Sequence, residues 1–193
     1  MKSFDAIFVL GPQGSGKGTQ AKVLADKLAF FFWDTGAILR KNAEVVTSSG
    51  ERARDILKTG RLFTDEELLS VVARELESLP REKGIVFDGI PRRVGQAEFL
   101  LGLLKSRGKA RFATVFLDIP KEESLKRLLL RAEKEGRSDD TRAAIERRLA
   151  DYETNTVPML GMLRERTDFF TIDGKPSVGD VEKNVWRAFG IAA

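Results

Sequence analysis

Residues 11–19 read Gly-Pro-Gln-Gly-Ser-Gly-Lys-Gly-Thr, and they follow directly on the apolar run Ala6-Ile-Phe-Val-Leu10. A helical pattern begins at Lys17, with Val23, Leu24 and Leu28 recurring at helix spacing. Strand, glycine-rich turn and helix are therefore packed into fewer than thirty residues, which restricts the chain to folds that turn sharply from a buried strand into a helix. The glycines let the backbone curl so that successive amides point inward, and the helix N-terminus adds its positive end. Lys17 follows Gly16 at G-x-x-x-x-G-K spacing, where it reaches the outer charges of a bound polyphosphate. A mere surface turn with an exposed lysine does not account for the agreement of loop, lysine and flanking elements. Gly18, rather than Ser or Thr, follows the lysine, and Thr19 comes one place later. The usual hydroxyl ligand for magnesium is thus missing, and a metal must rely on phosphates, water and an acidic residue elsewhere.

The strand-to-helix order repeats. Ile85–Phe87 precedes Asp88-Gly89 and a helix through Leu104; Ala113–Leu117 precedes a helix around Leu125–Arg131; a last strand near Phe169–Ile172 precedes a closing helix from Val178. Apolar strands separated by helical patterns imply a doubly wound α/β fold whose parallel sheet is covered on both faces, with ligands at the carboxyl ends of the strands. Two stretches depart from the alternation. Residues from about Thr35 to Leu79 look helical without a strand, and Ala132–Asp140 is charged and carries a glycine, so each is a candidate flap over the sheet edge.

At 193 residues the chain fits one domain with some excess, which suits an inserted lid. It has neither cysteine nor histidine, which excludes Cys/His zinc sites, disulfides, thiol nucleophiles and every histidine acid or base. Chemistry must run on carboxylates, Lys, Arg, hydroxyls, backbone amides and an oxygen-bound metal. No apolar run approaches the ~20 residues of a membrane span, and Met1–Leu10 lacks a charged-then-apolar leader, so a cytoplasmic location with no membrane contact is expected. The net charge of +4 is not gathered in a tail, which favours small anions over nucleic acid.

Asp88 ends the run Ile85-Val86-Phe87, where a parallel strand delivers residues to a site. It is the candidate metal carboxylate, acting through water; capping the next turn is the structural alternative. On a helix from Lys121 to Ala132, Arg127 and Arg131 share one face, with Leu125, Leu128, Leu129 and Ala132 expected on the opposite one. From Lys126 to Arg148 there are eight basic and five acidic residues, so most of the chain's net charge lies in one segment. Beside a phosphate loop that excess makes a polyphosphate clamp. Arg148 flanks the stripe Ile145, Leu149, Tyr152, whereas Arg147 faces away and is read as solvated. Gln96 opens an otherwise apolar stripe with Leu100 and Leu103, so its amide wants a partner, either a base edge or backbone.

Three segments in this order resemble the adenylate kinase family: Gly-Pro-Gln-Gly-Ser-Gly-Lys-Gly-Thr-Gln from Gly11, Asp88-Gly-Ile-Pro-Arg-Arg-Val-Gly-Gln-Ala-Glu, and Gly136-Arg-Ser-Asp-Asp140 before a helix ending at Tyr152. The similarity runs from about Ala6 to Pro176. It implies a P-loop NTPase core with a five-stranded parallel sheet, a helical AMP-binding flap at about 35–64 and a short lid at about 131–141. The activity implied is reversible transfer of the γ-phosphoryl group of ATP to AMP, giving two ADP, with Mg2+ accompanying ATP. A monomer with no nucleic-acid partner is implied as well.

Carried over by position, Gly14, Ser15, Gly16, Lys17, Gly18 and Thr19 would hold the ATP phosphates, with Arg131 and Arg137 from the lid side. Arg127 and Lys175, the latter in Asp173-Gly-Lys-Pro176, would lie near the ATP base. Thr35, Gly36 and Arg40 would contact AMP, as would Gly89 and Arg92 at its phosphate. Gln96 would read its adenine edge, and the backbone at Leu62 and Phe63 would line that base. Arg137 and Arg148 would reach both phosphate chains, so Lys17, Arg92, Arg131, Arg137 and Arg148 form the expected catalytic set. Asp139 and Asp140 would belong to the lid hinge. The absent histidine fits this chemistry, because a nucleoside monophosphate attacks through an oxygen already ionised at neutral pH and needs no general base.

Two departures stand out. The family's Thr-Gly-Asp is Thr35-Gly36-Ala37 here, and the missing aspartate helps hold water around magnesium, so weaker metal affinity or altered activity is expected. Ile90 replaces the customary Phe, a volume-tolerant change. The nearest rival is a UMP/CMP kinase, although such enzymes tend to carry asparagines where Gln96 stands. A nucleotide-binding regulator with the same fold and poor turnover is the reading that Ala37 favours. An RNA-binding module would show strongly salt-dependent binding and finds little support in the scattered charge.

Overall fold

Residues 6–10 are buried without exception, yet they serve two separate cores: Ala6, Phe8 and Leu10 point to one side of the sheet, Ile7 and Val9 to the other. Such an uninterrupted apolar run is what a parallel strand covered on both faces requires. The computed structural model describes residues 3–38, 51, 65–135 and 141–191. It contains five strands, β1 (Ala6–Leu10), β2 (Phe31–Asp34), β3 (Ile85–Asp88), β4 (Phe112–Asp118) and β5 (Asp168–Asp173), all parallel in the order β2-β3-β1-β4-β5. The chain therefore winds outward in both directions from β1, and the crevice at the carboxyl end of β1 is the expected ligand position in such a sheet.

One core, with Phe8, Trp33, Phe87 and Leu100 at its centre, lies under helices α2 (Asp65–Glu77), α3 (Val94–Ser106) and α6 (Val157–Arg166). The other joins α1 (Lys17–Leu28) and α7 (Val178–Ala188) to the opposite face through Leu24, Val181, Val185 and Trp186. Helices α4 (Lys121–Glu135) and α5 (Arg142–Asp151) make a smaller cluster of Leu128, Ile145 and Leu149, with Leu125 packed against it. A single π-helical turn, Tyr152–Thr156, connects α5 to α6.

The four strands named from apolar runs are all present, β1 with the bounds read and the other three slightly longer, and the closing helix starts at Val178 as expected. Strand β2 is the one that periodicity did not isolate. It is four residues long, at the sheet edge, and its aromatic run Phe30-Phe31-Phe32-Trp33 continues almost directly from Leu28 at the end of α1. The expectation that Leu129 belongs to the packed face of α4 is also corrected. Leu129 is 41% exposed, because the only partners for α4 in the small cluster, Ile145 and Leu149, meet Leu125 and Leu128 one step around the helix. Of the long stretch expected to be helical, Thr35–Ile38, Glu51 and residues 65–79 are described, and all are helical except Ser78 and Leu79, which form the turn after α2. Most of the expected flap and the lid tip at 136–140 lie outside the described residues.

Candidate active site

The glycine-rich loop is shaped by close approaches that a side chain would obstruct. Gly11 has φ +149°, and a Cβ there would lie 2.5 Å from the Leu117 carbonyl oxygen; at Gly14, φ +80°, it would lie 3.0 Å from the Ser124 carbonyl oxygen. Both carbonyls come from β4 and the start of α4, so the loop is pressed against the neighbouring strand end and helix. The Ser124 hydroxyl donates to the Gln13 carbonyl oxygen and ties α4 to the loop from the same side. Gly16 is left-handed at the N-cap of α1 and offers no side-chain cap, so the first amides of the helix face the cradle.

Lys17 opens α1 and folds back over the loop, its Nζ donating to the Pro12 carbonyl oxygen at 3.2 Å. Burial lowers its ammonium pKa to about 8; Asp88 opposes that shift, whereas Arg92, Arg131 and Arg148 reinforce it. Three arginines from three separate segments, the β3–α3 loop, α4 and α5, thus act electrostatically on one lysine. Among them Arg92 is held firmly, its Nε donating to the Gly89 carbonyl oxygen at 2.6 Å. Burial lowers its pKa, Asp88 and Asp151 oppose that, and Arg148 adds to it. On α5, Arg148 is half-buried while Arg147 is exposed, as their helical phase predicts.

Asp88 stands at the end of β3 with one oxygen 3.0 Å from where a Cβ on Gly18 would sit. The absence of a side chain at Gly18, a departure from the common loop pattern, leaves this space to the carboxylate. Its Oδ1 is buried and makes no hydrogen bond. Burial raises the Asp88 pKa and the neighbouring Asp34 adds to the rise, while Lys17 and Arg92 draw it down. A buried carboxylate oxygen without a donor, facing a lysine and a cradle of amides, suits a hydrated cation brought in with phosphates. Gly89 follows with φ +78°, and the Ile90–Pro91 bond is cis.

Thr35 and Gln96 are placed at the site, but their polar atoms already have protein partners. The Thr35 hydroxyl donates to the Asp88 carbonyl oxygen at 2.7 Å and accepts from Trp33 Nε1 at 3.2 Å, clipping β2 to β3. Gln96 is buried and its Oε1 accepts from the Arg92 amide at 2.9 Å, so for this oxygen the backbone alternative holds. Arg127 is drawn in rather than left on a free face. Its Nε meets Glu123 at 2.6 Å, and its two terminal nitrogens donate to the carbonyl oxygens of Gly174 and Lys175 at 2.9 and 3.0 Å. The 173–175 loop in turn lies against the phosphate loop, since a Cβ on Gly174 would come within 3.3 Å of the Ser15 carbonyl oxygen. Thr19 is exposed at the loop rim and Gly36 is half-buried beyond β2. Arg40, Leu62, Phe63, Arg137, Asp139 and Asp140 lie outside the described residues.

A cleft between these parts is lined by Gly11, Gln13, Lys17, Gly89, Arg92 and Thr156, with Leu10, Pro91 and Tyr152 at its walls. Three of its polar residues were not among the site residues read from the sequence. Gln13 points a buried, unpartnered Oε1 into the loop region. Thr156, in the π-helical turn, donates from its hydroxyl to the Arg92 carbonyl oxygen at 3.2 Å. Tyr152, whose phenol burial pushes up to about 12, with Asp118 adding to the rise, carries the apolar wall. The glutamine lies inside the glycine-rich motif and was legible in principle; the turn at 152–156 had no sequence signal.

The comparisons with known proteins agree with this geometry. A family model described as adenylate kinase matches residues 9–168. A protein named adenylate kinase from Thermus thermophilus is 39% identical over 186 residues, covering 96% of this chain and 97% of the relative. One of the same name from Micrococcus luteus is 38% identical over 182 residues, covering 94% and 89%, and one from Phocaeicola vulgatus is 34% identical over 168 residues, covering 87% and 89%. On the family model's match and the relatives' identity over nearly the whole chain, the chain is an enzyme that belongs to the adenylate kinase family.

Proposed function

We propose that this enzyme carries out ATP + AMP ⇌ 2 ADP in the cleft between the glycine-rich loop and the Asp88–Arg93 segment, with each side chain in the role its position suggests. The observation that carries this reading is a cleft beside the glycine-rich loop lined by both Lys17 and Arg92, with Arg131 and Arg148 acting electrostatically on the same lysine. The amides of residues 14–19 and Lys17 bind the β- and γ-phosphates of ATP. Arg127 braces the 173–175 loop, which forms the edge of the ATP base pocket and includes Lys175. Arg92 and Arg148 hold the AMP phosphate, and Arg131 and Arg137 follow the transferred group. Gly89, Thr35 and Gly36 shape the AMP side, with Arg40, Leu62 and Phe63 from the flap and Gln96 at the base.

The acceptor oxygen is ionised at neutral pH, so the residues need only align the two phosphate chains, neutralise their charge and exclude water. Segments at about 35–64 and 131–141 act as flap and lid that close over both substrates. Asp88 would hold Mg2+ through water, its buried Oδ1 without a hydrogen bond being the fitting acceptor. When bound with ATP, the ion supplies charge neutralisation at the phosphates. We place the protein in the cytoplasm as a monomer; no described helix is long and apolar enough to cross a membrane.

The test is ADP formation from ATP and each of AMP, GMP, CMP and UMP, with and without magnesium, for the parent and for Lys17→Met. Preference for AMP and loss of at least ~100-fold in the variant are expected. A preference for a pyrimidine monophosphate would overturn the acceptor, and an unimpaired variant would overturn the site.

A further inference from the structure

Strands β2 and β3 end in register, Asp34 directly opposite Asp88. Paired residues on adjacent parallel strands lie about 4.8 Å apart and send their side chains to the same face, so two carboxylates stand side by side at the carboxyl edge of the sheet. They lie in line with the phosphate loop, because β3 is flanked by β1 on one side and β2 on the other. The Asp34 charge is felt at Asp88. Two like charges at this spacing repel, and an arrangement that keeps them together calls for a compensating cation. Lys17 and Arg92 both offset the charge of Asp88, but in the proposed reading both are shared with bound phosphates. The buried Oδ1 of Asp88, which has no hydrogen-bond donor, points independently to a ligand at the same place.

Asp34 also has a local role. Its Oδ1 accepts from the Ala37 amide at 2.8 Å, an N-cap bond for the helical turn at Thr35–Ile38. That bond uses one of the carboxylate's two oxygens, and an asparagine or serine would make it equally well. The negative charge is therefore not explained by capping. Magnesium is characteristically held by one or two carboxylates together with substrate phosphates and several retained waters. The described residues contain no group of three or more metal-ligating side chains, so a cation held by this pair would need nucleotide phosphates and water to complete its shell.

We propose that Asp34 is a second carboxylate of the magnesium site, accepting hydrogen bonds from water on the ion beside Asp88 and so positioning it, although Ala37 offers no carboxylate. This rests on the reading of the cleft as a magnesium–nucleotide site. The experiment measures Mn2+ affinity by electron paramagnetic resonance in complexes with a non-hydrolysable ATP analogue, for the parent, Asp34→Asn, Asp34→Glu and Asp88→Asn. Asp34→Asn keeps the cap and loses the charge; Asp34→Glu keeps the charge and weakens the cap. The expected result is a five- to tenfold loss of Mn2+ affinity in Asp34→Asn, near-parental affinity in Asp34→Glu, and unchanged binding of the analogue without metal in both. Parental Mn2+ affinity in Asp34→Asn, with Asp88→Asn impaired, overturns the role of Asp34 alone. Failure of the parent itself to bind Mn2+ in a nucleotide-dependent way overturns the underlying metal site and the proposal with it.

Discussion

Replacing Lys17 with methionine should make the ligand-free protein more stable while destroying its activity. Burial holds the ammonium at a pKa of about 8 in the folded chain against 10.5 for an unperturbed lysine, despite the opposing attraction of Asp88. Because the folded value is the lower one, the charged form is disfavoured by folding, and the penalty is present in full below pH 8, where both states are protonated. It shrinks as pH rises from about 8 to 10.5, since there the unfolded chain binds more protons than the folded one, and it vanishes above. The interval corresponds to ~3 kcal/mol at most. Lys17 keeps some solvent contact and donates one hydrogen bond to Pro12, whose loss offsets part of the gain, leaving about 1–2 kcal/mol. For a chain of this size that is a rise in Tm of roughly 2–8 °C. Thermal unfolding of the ligand-free parent and variant at pH 7 and pH 9.5 measures it, and the gap between them should narrow at the higher pH. A variant less stable than the parent at pH 7, or a gap that widens with pH, would refute the reasoning. An ammonium kept at a cost in stability is what a site built for a polyphosphate requires, because the ligand's charge relieves the strain only when it binds.

Three further outcomes are expected. Arg127→Ala removes the bonds to the carbonyl oxygens of Gly174 and Lys175 and should raise the KM for ATP about tenfold with little change in kcat, measured by initial rates at varied ATP. Gly11→Ala places a Cβ 2.5 Å from the Leu117 carbonyl oxygen at φ +149° and should cost about 2–4 kcal/mol, read as a fall in the urea midpoint at unchanged slope. At Asp5, burial pulls the pKa up but is outweighed by hydrogen bonds from the Arg111 side chain and the amides of Arg111 and Ala110, which bring it to about 2. Its folded value lies below the unfolded one, so its stabilisation is present above about pH 4 and is lost as pH falls towards 2. Asp5→Asn should therefore cost about 1–2 kcal/mol at pH 7 and much less at pH 2.5, by urea denaturation.

Four of the five described strands, the glycine-rich loop, its lysine and Asp88 were legible along the chain, because each depends on local order. A continuous apolar run reads as a buried parallel strand, and glycine, lysine and helix start lie within nine residues. Helical phase separated Arg148 from Arg147 for the same reason. Phase failed at Leu129 and at the face of Arg127, since what surrounds a helix is set by partners distant in sequence: Ile145 and Leu149 on one side, the 173–175 loop on the other.

The sequence alone determined that this chain folds as a doubly wound α/β domain with a glycine-rich loop after its first strand, and that neither histidine nor cysteine is available to its chemistry. Only the tertiary structure decided which groups share that cradle. Three arginines from separate segments act electrostatically on Lys17, and Asp34 stands in register with Asp88 through a short edge strand. The physical reason is that local spacing fixes periodicity and turns, whereas the neighbours of a charge are fixed by strand order and register, which act between residues distant in sequence such as Asp34 and Asp88.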